Sequence, residues 1–316
     1  MQLKAKKEKS AAAVFFSDLF RKKPLAGIGF AILVLFVLTA IFADVLAPSK
    51  MVNGVLPTSI LDKLKPPSLE HPFGTDTLGH DLLSYMIYGA RTSVILAICC
   101  TLLSTVVSVI LGVTSAVLGG WFDLILQRFV DAWQCIPSML IMLILMAVVG
   151  NGIPQMILVL SVPAGIAGSR LVRSTALSVK DSGYMNMSRM LGSNKVWRMV
   201  KHVLPNIMPV ILMSLATSVG GVIMMEASMS FLGYGVSPNT PDWGAIMTGS
   251  ARANMFLAPW LAIFPGVAIS LVVFASAMFG DGVRDLLDPR LKGGTSSYRT
   301  KKKGAKSAQA ARQEGA

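Results

Sequence analysis

The sequence predicts an all-α membrane protein with six transmembrane helices, and three observations predict it. Of its 316 residues, 53% are hydrophobic and only 14% are charged, where a soluble domain carries about 25% charged residues. Uncharged runs recur along the chain, each able to supply the roughly 20 apolar residues that cross a hydrocarbon core. The apolar residues show no period-two alternation, so the spans read as helices, which satisfy their backbone polar groups internally.

The elements follow in order. A basic tail occupies residues 1–24, and the first uncharged run, from Pro24 to Ala43, sets the first span at residues 25–46. The run is long and lacks a small-residue cleavage site, so it reads as a retained span. A polar segment, residues 47–91, leads to the second run, Thr92 to Phe122, whose end is broken by Gly119-Gly120. The third run, Ala132 to Ser169, is too long for one crossing. Gly150-Asn151-Gly152-Ile153-Pro154 is a turn signal that divides it into two spans. The fifth span runs from Ile207 to Leu232 and the sixth from Ala253 to Gly280. Five helices therefore fall within residues 92–290, with a long loop at 170–206 and a second basic tail at 291–316.

Charge sets the expected orientation. With the N-terminal tail in the cytoplasm, alternate segments hold 24 of the 29 lysines and arginines. That asymmetry predicts both tails and the 170–206 loop on the cytoplasmic side. It also accounts for the net charge of +13 without nucleic acid, and it brings the tails close to anionic membrane lipid.

The 170–206 loop is too long for a tight connection. Tyr184, Met187 and Leu191 recur at helical spacing, as do Met185 and Ser188. Gly192 stands where a helix C-terminus favours a left-handed residue. Ser193 or Asn194 can cap a second short helix through Trp197 and Val200, and Leu204-Pro205-Asn206 closes the loop. The pattern predicts a bent pair of amphipathic helices that either lies on lipid or docks a soluble partner.

The loop resembles the coupling loop of ATP-binding-cassette importer permeases, in which Glu-Ala-Ala is followed by Gly and then by Ile-x-Leu-Pro. Gly192, Leu204 and Pro205 match; Asn186, Met187 and Ser188 replace the acidic triplet, and His202 stands for the isoleucine. Pro72–Asp81, Tyr88–Ser93, Arg128-x-x-Asp131, Ile136-Pro137, Glu226–Gly233, Asp242-Trp243-Gly244 and Gly280–Pro289 are similar, in order, to the dipeptide, oligopeptide and nickel group of these permeases. They are most similar to the second of the group's two permease subunits.

The resemblance implies a type I importer core and a bacterial or archaeal plasma membrane. It implies a homologous permease as heterodimeric partner, two ATPases that hold ATP and Mg, and an extracytoplasmic solute-binding protein. The chain itself would bind no cofactor and would not be an enzyme. Gly-Lys occurs nowhere in the sequence, which independently excludes a phosphate-binding loop of the Gly-x-x-x-x-Gly-Lys type. The site residues so implied for ATPase coupling are Tyr184, Met185, Asn186, Met187, Ser188, Arg189, Leu191, Gly192, Ser193, Leu204 and Pro205. Met185, Met187 and Met190 would make an adaptable apolar contact, with Arg189, Lys195 and Arg198 around it. Di- or oligopeptides are the implied solutes, with nickel or another small solute as the alternative. An ion-coupled secondary transporter is the rival class, resting on one intramembrane acid.

That acid is Glu226, the only charge within a span. With Ser228 and Ser230 it could line the translocation pathway, hold the paired permease, or sit as a buried structural carboxylate. Asp76 and Asp81 read as turn and capping residues rather than a catalytic pair. His71, His80 and His202 lack metal spacing, so neither a metal nor a catalytic site is expected. Trp121, Trp133, Trp243 and Trp260 fall near span ends, the usual place for interfacial anchors. Gly112, Gly165, Gly220, Gly221 and Gly266 suit close helix packing.

Overall fold

A computed structural model describes residues 11–287 apart from 53, 238, 249–251 and 255, with side chains from residue 16 onward. The basic C-terminal tail and most of the N-terminal one lie outside the described residues, as do Asp288 and Pro289 of the last motif. Among the described residues the regular structure is helical, with only two isolated β-bridges, Val52–Val55 and Thr75–Asp81.

An amphipathic helix, α1 (Ala11–Lys22), leads into α2 (Pro24–Ile41), which opens on a proline whose missing N–H costs a helix start nothing. A single turn, α3 (Ala43–Leu46), follows. The chain then wanders to Asp81, the N-cap of the 37-residue α4 (Leu82–Leu118). Gly119, at φ +64°, ends α4 and begins α5 (Gly120–Cys135). Ile136, held extended before Pro137, separates α5 from α6 (Ser138–Val149), and the two helices meet at 89°. The Gly150–Gly152 turn opens α7 (Ile153–Lys180). Beyond it come α8 (Gly183–Met190) and α9 (Lys195–Arg198). A π-helical turn over Met199–Val203 carries α9 without a break into α10 (Leu204–Phe231). A short α11 (Trp243–Ile246) precedes the last helix, α12 (Trp260–Leu287).

Five helical stretches are long and apolar enough to cross a membrane, and six spans result when the bent α5–α6 pair is taken as one. The expected boundaries shift for identifiable reasons. The core helix expected from residue 92 begins at Leu82, because Asp81 caps it there and Tyr85, Tyr88 and Arg91 continue it outside the uncharged run. The last helix likewise runs past Gly280 through Asp281, Arg284 and Asp285. The expected third span, from Ala132, is instead cut at Pro137, and the stretch 123–131, expected as a connection, is helical. Within the 170–206 loop, residues up to Lys180 prolong α7 and residues from Lys195 belong to the continuous helix that becomes α10.

Lipid tails are as apolar as the helices, so close backbone approach has to hold the spans together. Along the α4–α7 seam, a Cβ on Gly112 would lie 2.7 Å from the Ser169 carbonyl oxygen, and one on Gly165 would lie 2.6 Å from Val107 Cβ. The Ser108 hydroxyl donates to the Gly165 carbonyl at 2.9 Å. Gly220 and Gly280 similarly let α10 and α12 touch. Gly221 and Gly266 do not pack closely: each faces open space, so their expected packing role is not observed.

One core joins α2, α4, α10, α11 and α12 around Phe36, Met86, Ile223 and Trp243. A second joins α4, α6, α7 and α10 around Leu96, Met142, Met156 and Met229. A third, around Val113, Met185, Val203 and Ile207, fastens α8 to α4, α7 and the start of α10. The segment between α3 and α4 is tied by polar pairs. Asp76 accepts from the backbone N–H groups of Leu78 and His80, both at 2.8 Å, and His71 meets Asp81 at 3.0 Å. The Arg91 guanidinium, 2.8 Å from Asp44, holds that carboxyl below the usual carboxylate range.

Candidate functional site: the α8–α9 loop and the buried acid

The sequence of α8 places one side chain inward and several outward. Met185 is 1% exposed and packs in the third core. Tyr184, Met187, Met190 and Leu191 point outward, the last two at 83% and 85% exposure. Met185 is therefore an anchor within its own subunit, not part of an outward methionine contact, because it lies on the face of α8 turned toward the core shared by α4, α7 and the start of α10. Leu204 is also partly covered by this core, whereas Asn186, Arg189, Gly192 and Pro205 are exposed.

The turn after α8 is closed by hydrogen bonds. Gly192, at φ +78°, stands at the left-handed position, and its N–H donates to the Arg189 carbonyl at 3.0 Å. The Ser193 N–H donates to the Ser188 carbonyl at 3.2 Å. This pair of bonds is the Schellman arrangement that consumes the orphan carbonyls of a helix end. Asn194 then caps α9, accepting from the N–H groups of Val196 at 2.6 Å and Trp197 at 3.2 Å. Of the two residues able to cap, Asn194 is the one that does; Ser193 locks the preceding turn. Lys201 lies over the Trp197 ring at 5.5 Å, and the Tyr184 and His202 rings meet edge-on at 6.3 Å. Asn186, in the acid's place, accepts a long 3.4 Å bond from Arg189.

Lys180, at the end of α7, donates to the Ala116 carbonyl at 2.6 Å. The loop is thus seated on the ends of α4 and α7 and runs straight into α10.

Glu226 lies elsewhere. It is 1% exposed, and the hydroxyls of Ser93 on α4 and Ser230 one turn later donate to its two oxygens at 3.5 Å. Asp242 meets it from the start of α11. One Asp242 oxygen accepts from the Gly244 N–H at 2.9 Å; the other lies against Glu226 and Ser230 without a well-formed bond. Burial pushes the Asp242 carboxyl up, toward the neutral acid that can share its proton. Glu226 and Ser230 both turn into the chain's own interior. Ser228, on the other face, borders a cavity with Met224, Phe231 and Gly266.

Asp242 is a member of this site that sequence reasoning noted only as part of a motif. Trp243 is likewise interior: it is buried and its indole N–H donates to the Met86 carbonyl at 2.8 Å, so it is a core residue rather than an interfacial anchor. Among the described residues there is no cluster of three or more His, Cys, Asp or Glu suited to a metal ion.

A seated, outward-facing loop on a bundle of spans is the geometry expected of a permease driven from outside itself, and comparison with known proteins decides the point. Residues 108–293 match the family described as binding-protein-dependent transport system inner membrane component. The chain belongs to this family. Residues 18–67 of this permease also match the N-terminal transmembrane domain of oligopeptide transport permease C. Among curated proteins, the permease is 34% identical over 274 residues to the glutathione transport system permease protein GsiD of Escherichia coli O6:K15:H31, covering 87% of this chain and 89% of that one. The same figures hold for GsiD of Shigella boydii serotype 4. The chain is thus a multi-span permease subunit of an ATP-binding-cassette importer. Such subunits are non-catalytic by themselves.

Proposed function

We propose that this permease imports di- or oligopeptides, glutathione among them, as one of two paired membrane subunits driven by two ATPases that dock on α8 and α9. The name of the GsiD relatives supports glutathione-sized peptides, and the match to the oligopeptide permease domain supports longer ones. Specificity would rest largely on an extracytoplasmic binding protein that delivers the solute. The lysine and arginine distribution supports a cytoplasmic position for the loop and for both tails.

The observation that carries the docking role is the knob formed by Met187, Met190 and Leu191. Three large apolar side chains stand exposed at a turn that hydrogen bonds close. Methionine side chains suit an adaptable apolar groove, and Arg189 and Lys195 flank the knob with charge. A position for Ser228 facing solute or the paired permease is supported by the cavity it borders.

Co-purification tests the reading. Met187→Asp with Leu191→Asp should abolish retention of the ATPases on the tagged permease while membrane insertion persists. Undiminished ATPase retention would refute docking at the knob. Uptake that survives ATP depletion but fails on collapse of the proton gradient would instead favour an ion-coupled carrier.

A further inference from the structure

Helix α5 is attached to the bundle in an unusual way. Val130 is its one buried residue among those described, while Trp121 on its outer side is 79% exposed. Polar side chains hold it instead. Asp123, Gln127, Asp131 and Gln134 fall on one stripe at helical spacing. Asp123 receives a bidentate pair from Arg173, with Nε and Nη2 each at 2.6 Å. Asp131 pairs with Arg170, and the Gln134 amide donates to the Ala167 carbonyl at 3.3 Å. The order 123, 131, 134 on α5 meets 173, 170, 167 on α7, so the two helices run antiparallel along a polar ladder. The Ser115 hydroxyl, itself an acceptor from Gln127 at 3.0 Å, fastens Asp123 to the end of α4.

The ladder occupies the end of α7 that continues to Lys180 and α8. At its other end α5 turns by 89° into α6, whose Met142 walls a cavity of about 290 Å³ shared with Ser104 and Ser108 of α4 and Ser218 of α10. Apolar helix faces in lipid can slide, since burial gives them no preferred partner there. Ion pairs with bidentate geometry fix register and direction.

We propose that Asp123, Asp131, Arg170 and Arg173 are positioning residues for transport: they make α5 a lever that carries movement of α7 into α6 and so into the wall of the Met142 cavity. This rests on the docking role of α8 and α9, since that is what moves α7.

The test uses the assembled importer in proteoliposomes, with radiolabelled glutathione as the transported probe. ATPase retention, ATP hydrolysis and uptake are measured for Asp131→Lys, Arg170→Glu and the double reversal. Each single reversal should retain the ATPases and lower uptake per ATP by about tenfold, an ordinary size for coupling between sites. The double reversal should recover most of the loss. Unchanged uptake per ATP in the single variants, loss of ATPase retention, or no recovery in the double variant would each overturn the lever. Should the single variants fail to accumulate, the neutral variants Asp131→Asn and Arg170→Gln supply the second measurement. These variants keep the size of both side chains and should still lower uptake per ATP, and unchanged uptake per ATP would overturn the lever. Failure of the docking reading shows separately, as absence of ATPases from the unmodified permease.

Discussion

The hydroxyl oxygens of Ser188 and Ser193 lie 2.7 Å apart on either side of Gly192. Ser193 donates its hydrogen to the Ser188 carbonyl at 2.6 Å, which leaves the Ser188 hydroxyl to donate to that of Ser193. Two side chains and two backbone bonds therefore close the turn around one glycine. Gly192→Ala should strain it without any clash: a Cβ there meets nothing within 4 Å, but a left-handed backbone costs an alanine about 1–2 kcal/mol. Hydrogen exchange over residues 183–194 should speed up in the variant, and ATP hydrolysis by the assembled importer should fall. Unaltered exchange would mean that the turn is not locally strained.

Asn194→Ala removes both bonds to the start of α9. The expected loss is about 1 kcal/mol of local helix stability, and Asn194→Asp should restore it. Exchange at Val196 and Trp197 separates the two variants.

Glu226 sits between two serine hydroxyls and Asp242, all within one subunit. Glu226→Gln keeps the hydrogen bonding and should leave thermal stability in detergent and uptake close to those of the parent. Glu226→Leu strands the polar groups around it, at about 1–3 kcal/mol for each buried group left unsatisfied, and should lower the melting temperature. An undiminished melting temperature for the leucine variant, combined with lost uptake for the glutamine variant, would return Glu226 to the pathway.

Gly89 faces Trp243 so closely that a Cβ would stand 2.6 Å from the indole Cδ1. Gly89→Val must displace the ring from Phe36 and from the Met86 carbonyl. Overpacking of this kind costs about 1–3 kcal/mol, read as a lower melting temperature. Gly221→Ala, which faces open space, serves as the tolerated control.

The spans were legible because each apolar run has to be long, and the loop was legible because Gly192 and Leu204-Pro205 punctuate it. Two things were hidden. Charge within 123–131 made that stretch read as a connection, although Asp123, Gln127, Asp131 and Gln134 already fall at helical intervals; a periodicity count across the charges would have exposed α5. The surroundings of Glu226 were hidden for another reason. Which face of α10 it occupies is settled by α4 and α11, at sequence distances that no local pattern encodes. Met185 is similar: its neighbours in α8 are exposed, and only the Val113–Ile207 core draws it inward.

The π-helical turn over Met199–Val203 has a consequence for how such loops can vary in length. A π turn accommodates one residue beyond the α-helical repeat, and each residue of an α-helix turns the chain by about 100°. Deleting one residue there would re-clock Tyr184, Met187 and Leu191 around the axis of α10 while altering none of them. The face presented to a partner is therefore dialled by residue number as well as by residue identity.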